Sequence, residues 1–359
     1  MSAKKILITL LAAILVLGLA SCAPAATPEP PPATEAPPAA TEAPKLPTEL
    51  RIGAVFGATI DEPWYKSMLQ SIERINTQKP HGLTLYIDYT ENVWGEDAER
   101  ALREYAESGK YQILWGASSY SDQVKNLKDK YPEILFVFTG SGNTALGGNA
   151  YWTYNHVHEP AYLLGVVAGS MTKTDVIGAV AGFPYDDVND VLNAYIDGAK
   201  SVNPDVKAKV TFIESWYDPP KAKEATYALI AAGADYIYAE RVGPFEAAVE
   251  KGVFAFGQYE DQNPMAPAAV VSSTILKWDP QLLYLVDEWW KHAVEGQPYN
   301  APMEPVWFTM AEGSGDIAPF HDFEKTMPPG LLEKIQQMRE DLLAGKLVVE
   351  LKVDPPESD

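Results

Sequence analysis

Leu50-Arg51-Ile52-Gly53-Ala54-Val55-Phe56 runs into Gly57, and beyond Asp61-Glu62-Pro63 the residues Met68, Leu69, Ile72 and Ile75 recur at helical spacing. The first run is almost wholly apolar, as a strand covered on both faces must be. Asp61 is placed to cap the helix that follows, and Pro63 is tolerated in its first turn. The stretch therefore reads as strand, loop, amphipathic helix. Outward from it the alternation continues, with strands at 83–89, 112–115 and 134–139 separated by helices at 96–107 and 121–130. A second series after Tyr154 predicts helices at 161–171, 188–202, 221–232 and 245–251, interleaved with strands at 176–181, 209–212, 236–239 and 254–257.

Repeated strand-helix units imply parallel sheets with helices on both faces. Two series imply an α/β chain of two doubly wound lobes. The expected N-terminal lobe is 50–155 plus 261–297, the C-terminal lobe 156–260 plus 298–320, and 321–359 a C-terminal helix and tail. Crossovers are expected near Asn155, Gln258 and Met303. Ligands of such sheets sit at the carboxyl ends of the strands. The loops to search are therefore 57–64, 116–120, 139–143, 182–187, 215–218, 240–243 and 258–262. None carries the dinucleotide glycine fingerprint or a P-loop, so no cofactor is expected.

Ahead of the first strand, Lys4 and Lys5 precede an uncharged run at 6–20 that ends in Leu19-Ala20-Ser21-Cys22. A membrane span needs about 20 apolar residues. A short run followed by small residues reads instead as a signal peptide over 1–21. Leu-Ala-Ser-Cys matches the bacterial lipobox, so Cys22 is the expected lipidation site and the chain is expected outside the cytoplasm, tethered to a membrane. Cys22 is also the one cysteine of 359 residues, which excludes intrachain disulfides. The segment 22–49 is rich in Pro, Ala, Thr and Glu and reads as an extended linker.

Without Lys4 and Lys5, 26 basic residues face 49 acidic ones, a formal charge of −23. Nucleic acid is excluded as a partner, since phosphate contacts need a basic face. The five histidines form no metalloprotease or nucleophile-elbow pattern. His156 and His158 share one face of an extended chain, but no cysteine or carboxylate pattern completes a metal set, so no metal is expected. Asp186 and Asp187 read as a helix start.

Polar candidates at the strand ends each have a plain alternative. Ser118, Ser119 and Tyr120 either meet a ligand edge or cap the next helix. Glu240 and Arg241 either contact a ligand or form a structural ion pair. Asn155 marks the first crossover, where ligand contact and hinge role coincide. Trp216 is either a stacking face or one of several packed tryptophans.

The stretch Tyr162-Leu-Leu-Gly-Val-Val-Ala-Gly-Ser-Met171, followed by Ser201-Val-Asn-Pro204, Ser215-Trp-Tyr-Asp-Pro219 and Ala232-Gly-Ala-Asp235, resembles the basic membrane protein family of solute-binding lipoproteins. The resemblance runs over about 50–320. It implies a type I periplasmic-binding fold that captures a purine-type ligand in the cleft and delivers it to the permease of an ABC importer. In that family an Asp-x-Ser-Phe-Asn segment opens the first helix, and its aromatic ring stacks on the purine while the Asn bonds the base. Asp61-Glu62-Pro63-Trp64-Tyr65 matches it with Trp64 as the aromatic and Tyr65 in place of Asn. A second family aromatic maps onto Trp216, and Lys277 matches a lysine near the ligand.

Nucleoside receptors of the family show Gly-Val-Asp-x-Asp-Gln, where the first Asp holds the ribose hydroxyls. Here the segment is Gly257-Gln258-Tyr259-Glu260-Asp261-Gln262, with Tyr259 at the carboxylate position. A phenol cannot accept two charge-assisted hydrogen bonds from a diol. Together with Thr90-Glu-Asn-Val93, Ala266-Pro267 and Met310-Ala-Glu-Gly313, this resembles a branch linked to free bases, so a nucleobase such as adenine is expected over a nucleoside. Gln258 and Asp261 join the expected ligand contacts. A nucleoside-acting hydrolase and a ligand-sensing module for a membrane kinase are the alternative readings.

Overall fold

The computed structural model describes residues 46–359. The expected signal peptide, Cys22 and nearly all of the expected linker lie outside the described residues.

β1 (Glu49–Val55), β2 (Thr84–Thr90), β3 (Ile113–Gly116), β4 (Leu135–Thr139), β5 (Ala150–Asn155) and β11 (Val306–Phe308) form an all-parallel sheet in the order β11-β5-β4-β3-β1-β2. A second sheet holds β6 (Val176–Ala181), β7 (Lys207–Phe212), β8 (Tyr236–Ala239), β9 (Phe254–Gly257), β10 (Val270–Leu276) and β12 (Gly315–Ile317) in the order β12-β10-β9-β8-β6-β7. Only the β10–β12 pair in it is antiparallel. The expected strands and helices of both series form within a few residues of their predicted bounds. One helix is shorter. The predicted 121–130 is α3 (Ser121–Lys125) and then a 3₁₀ turn at Lys128–Lys130.

The start of α1 (Pro63–Gln78) is also displaced. Glu62, not Asp61, is its cap, with a carboxylate that accepts from Trp64 N at 2.9 Å, while Asp61 is exposed in the preceding turn. Pro63 takes the first helical position, and the cap is therefore the residue before it.

The lobe boundaries need two corrections. The stretch 261–276 was expected in the first lobe, yet β10 pairs in parallel with β9 and lies in the second sheet. The chain between β9 and β10, 258–269, is long enough for a parallel return, and β10 is buried along nearly its whole length. The first lobe resumes only at α8 (Asp279–Ala293), which packs on α1. Conversely, β11 was expected in the second lobe and pairs with β5 of the first. The crossovers thus fall at 155–158, 276–279 and 308–315. Beyond them, α9 (Leu331–Leu343) and the tail rest on the second lobe, where Leu342 and Val349 pack with Leu163, Ala194 and Met310.

The second lobe is organised by the crossing of α4 (His158–Met171) and α5 (Asp186–Val202). A Cβ on Gly165 would lie 2.0 Å from the Tyr195 carbonyl oxygen, and one on Gly198 would lie 2.1 Å from that of Tyr162. The two backbones touch because neither residue has a side chain. Gly198→Ala raises helix propensity by about 1 kcal/mol, but it forces two rigid backbones apart. We expect a net loss of about 1–3 kcal/mol in urea unfolding; a midpoint equal to or above that of the parent chain would contradict the contact.

Candidate functional site

In each sheet the strand order reverses beside the first strand of its series: β1 lies between β2 and β3, and β6 between β7 and β8. Loops leaving the carboxyl ends at such a reversal diverge and open a crevice. The two crevices face one another. Ala58, Glu62, Trp64, Tyr65, Trp94 and Ser118 form the wall from the first lobe, and Asp187, Val188, Trp216, Glu240, Arg241 and Tyr259 the wall from the second.

Aromatic rings make up much of both walls, and those of Trp64, Tyr65 and Trp94 are held by their polar ends. Trp64 Nε1 donates to the Ala117 carbonyl at 2.9 Å, and the ring stands edge-on to Trp278 at 4.7 Å and to Tyr259 at 5.3 Å. Tyr65 stacks on Phe56, and its hydroxyl accepts from Gly57 N at 2.9 Å. Trp94 stacks on Tyr120 at 5.0 Å and donates to the Gly57 carbonyl at 2.8 Å. A Cβ on Gly57 would fall 1.9 Å from the Trp94 ring, so that position must be glycine for the ring to lie where it does. Trp216 packs against Phe183 and Tyr185, and the Arg241 guanidinium stands 5.3 Å from its ring centroid, a cation–π contact. Tyr259 has a left-handed backbone (φ 70), uncommon for a bulky residue.

Arg241 is the charged centre of the site. It is 6% exposed. Nε donates to Glu240 Oε2 at 2.7 Å, Nη2 donates to Glu240 Oε1, and Nη1 donates to the Trp216 carbonyl at 2.9 Å. Nη1 also reaches Glu62 Oε1 of the opposite lobe at 3.3 Å. Glu240 accepts further from Gly182 N at 2.9 Å and from Gln258 Nε2 at 3.3 Å. Burial pushes the Glu62 carboxyl up to about 7 although Arg241 pulls it down. Burial raises Glu240 and Asp187 as well, against the donors that hold them. Asp187 lies in the first turn of α5, where a carboxylate is favoured, and accepts from Ser141 Oγ at 2.5 Å and Ser141 N at 3.2 Å, again across the lobes. With Lys66–Glu260 at 2.8 Å on the rim, these contacts hold the walls close. The space left between them is about 40 Å³, room for a few waters.

Of the residues expected from the sequence, Trp64, Tyr65, Ser118, Trp216, Glu240 and Tyr259 line this cavity. The others do not. Asp61 is exposed. Ser119 Oγ donates to the Ser141 carbonyl, tying two loops, and Tyr120 is buried behind Trp94 with its hydroxyl donating to Val93 O. Gln258 stands behind Glu240, and Asp261 pairs with His321 at 2.9 Å. Lys277 lies in the second crossover, its N–H donating to the Ser314 carbonyl. Asn155 is buried at the end of β5, and neither amide atom has a partner among the described residues. His156 faces Glu159 at 3.5 Å, and burial lowers His158 to about 4. Among the described residues no group of three or more His, Cys, Asp or Glu could hold a metal ion.

Sequence reading missed Glu62, Trp94 and Asp187 as lining residues. Pro63 at a helix start points to Glu62 as the cap, a signal that was legible. Trp94 follows β2, a strand end outside the loops searched. Nothing local in Asp186-Asp187 tells which carboxylate turns inward.

A family model described as ABC transporter substrate-binding protein, PnrA-like, matches residues 51–298. The chain is 30% identical over 262 residues to a purine-binding protein of Brucella abortus, covering 72% of this chain and 71% of that protein. It is 34% identical over 197 residues to a putative ABC transporter glucose-binding protein of Haloferax volcanii, covering 54% of this chain and 50% of that protein. An ABC transporter solute-binding protein structure from Aeropyrum pernix K1 superposes with a TM-score of 0.70 at 16% identity, over 85% of this chain and 94% of that one, a likeness of fold alone.

Arg241 yields a prediction about stability. The folded value of Glu62, about 7, lies above its ordinary 4.5. Its contribution is therefore complete below about 4.5 and is lost as pH rises through 7. Replacing the guanidinium in Arg241→Met removes the main influence that keeps this value from rising further. The variant should be destabilised by about 3–5 kcal/mol at pH 8, and distinctly less at pH 5, where the stranded carboxyls take up protons. Equal losses at both pH values, read from denaturant unfolding, would show that the guanidinium is not what compensates them.

Proposed function

The chain belongs to the PnrA-like family of ABC transporter substrate-binding proteins, and on that premise we propose that its cleft binds a purine-type ligand, with a free nucleobase such as adenine bound in preference to a nucleoside. Members of this family are solute-binding proteins, not enzymes; they capture a small molecule and deliver it to an ABC permease. The observation that carries the ligand assignment is the pair Trp64 and Trp216, one tryptophan from each lobe on a single cavity. A flat heteroaromatic ring between them gains two stacking faces, each worth about 1–3 kcal/mol. The name of the Brucella abortus relative supports the same class.

Preference for the base rests on Tyr259. It is 5% exposed and meets Trp64 edge-on, in the segment where nucleoside receptors carry a ribose-binding carboxylate. A ribose there would displace a phenol ring and find no carboxylate at that position to accept its diol. Calorimetry with adenine, hypoxanthine, guanine, their ribosides and glucose, on protein unfolded and refolded to strip retained ligand, tests both points. Bases should bind more tightly than ribosides, and Trp64→Ala and Trp216→Ala should each weaken base binding ten- to a hundredfold. Ribosides binding tenfold tighter than bases would reject the base preference, and glucose binding with no purine binding would reject the purine class.

For the segment preceding the described residues we propose lipidation at Cys22, with the Pro-rich stretch as a spacer that extends at about 3.1 Å per residue and lets the lobes reach a permease. Leu19-Ala20-Ser21-Cys22 after an uncharged run supports this reading. Expressed in a bacterial host, wild type should carry acyl chains on Cys22 and Cys22→Ala should carry none. Intact-protein mass spectrometry finding no acyl group on the wild-type residue would reject the anchor.

A further inference from the structure

We propose that Glu62 and Asp187, one carboxylate from each lobe, read the ligand, and that they select a ring whose edge carries N–H donors, as an aminopurine does, over one that presents a carbonyl there. This deepens the purine reading and rests on it.

The argument is one of unfilled accepting capacity. Glu240 is committed: Arg241, Gly182 N and Gln258 Nε2 supply its oxygens with four contacts. Arg241 in turn spends its N–H groups on Glu240, the Trp216 carbonyl and, at the longest distance, Glu62. An ionised carboxylate offers about four lone-pair sites. Glu62 accepts from backbone N–H groups at the start of α1 and from that single 3.3 Å contact, and Asp187 accepts from Ser141 N and Oγ. Around them the cavity adds neutral hydroxyls of Ser118, Tyr65 and Tyr259. No second cation lines it among the described residues. Three carboxylates therefore share one guanidinium in a buried space. Burial raises the pKa of all three although Arg241 lowers it, so each carboxylate gains from a further donor.

A ring entering between the lobes must part the Glu62–Arg241 and Ser141–Asp187 contacts, since the space is now about 40 Å³. If its edge donates to both carboxylates, it restores what it displaces and links the lobes. Above about pH 7, where Glu62 is ionised, an edge that presents a carbonyl sets oxygen against oxygen and leaves buried Glu62 and half-buried Asp187 without the donors they had, which costs more than a lost contact. A site built to hydrogen-bond a particular group discriminates strongly against analogues that lack it. Recognition and closure are then one event, because the free energy that favours the closed form comes from bonds made to both lobes.

The test, run at pH 8 so that Glu62 is ionised, compares adenine with unsubstituted purine, which lacks only the amino group, and with hypoxanthine, which replaces it by a carbonyl and adds an N1–H donor, on wild type, Glu62→Gln and Asp187→Asn. Calorimetry should show wild type preferring adenine tenfold or more. Each amide variant replaces one accepting oxygen by a donor, so it should lose tenfold or more for adenine and change less for the other two, narrowing or reversing the preference. Thermal unfolding checks that the variants are folded. If Glu62→Gln fails to fold because Arg241 loses a partner, Asp187→Asn, which leaves the Arg241 contacts in place, carries the test. Folded variants that keep the wild-type preference, or a wild type that favours either of the other two, would overturn the proposal while leaving a purine site intact. Wild type that binds no purine would instead overturn the purine reading and this inference with it.

Discussion

A buried guanidinium must be paired or the fold that contains it loses several kcal/mol, and Arg241 meets that condition unevenly. Two of its nitrogens bond Glu240, the adjacent residue of the same loop, and Gly182 N and Gln258 hold Glu240 in turn. This half of the network belongs wholly to the second lobe and survives any movement of the first. The contact with Glu62 is single and long. Opening the cleft therefore breaks the weaker half and leaves the ion pair with a solvent-facing edge, so the lobes can separate without stranding a bare charge. A symmetric, bidentate bridge across the lobes would resist that motion far more.

The same division between stiff and yielding parts runs through the backbone. Within the second lobe, α4 and α5 are in direct backbone contact at Gly165 and Gly198, and Asp187 projects from the first turn of α5. The carboxylate is thus fixed relative to Arg241 by packing that tolerates little adjustment. Between the lobes the chain crosses three times through short segments, at 155–158, 276–279 and 308–315. Movement of one lobe as a body about such crossings is the hinge class of domain closure. It carries Glu62 and Trp64 together, since both sit at the start of α1.

How far the sequence could be read follows from the range of the forces concerned. The strand-helix alternation is local, written in apolar spacing, so both series were legible. Sheet membership is not local. Val270–Leu276 would bury equally well in either lobe, and only its parallel pairing with β9 assigns it to the second. The site divides in the same way. Trp64 and Trp216 could be named from the resemblance and their strand-end loops, and Glu62 from Pro63 as a helix start. Trp94 reaches the cavity only because Gly57, far from it in sequence, lacks a side chain. Asp261 and Lys277 matched by position alone, yet His321 engages the first and the second lies in a crossover beyond the cavity wall.

The dimensions of the closed cleft bear on what can enter it. Trp64 already touches Tyr259 edge-on at 5.3 Å, so the aromatic walls are nearly in contact. On the proposed reading, a planar ring entering there moves them apart by one ring thickness, about 3.5 Å. The same displacement lengthens the Glu62–Arg241 and Ser141–Asp187 contacts beyond hydrogen-bonding range. Shape and polarity are thereby linked. On that reading, the lobes stay together around the ligand only if its edges replace the cross-lobe bonds that its own thickness has broken.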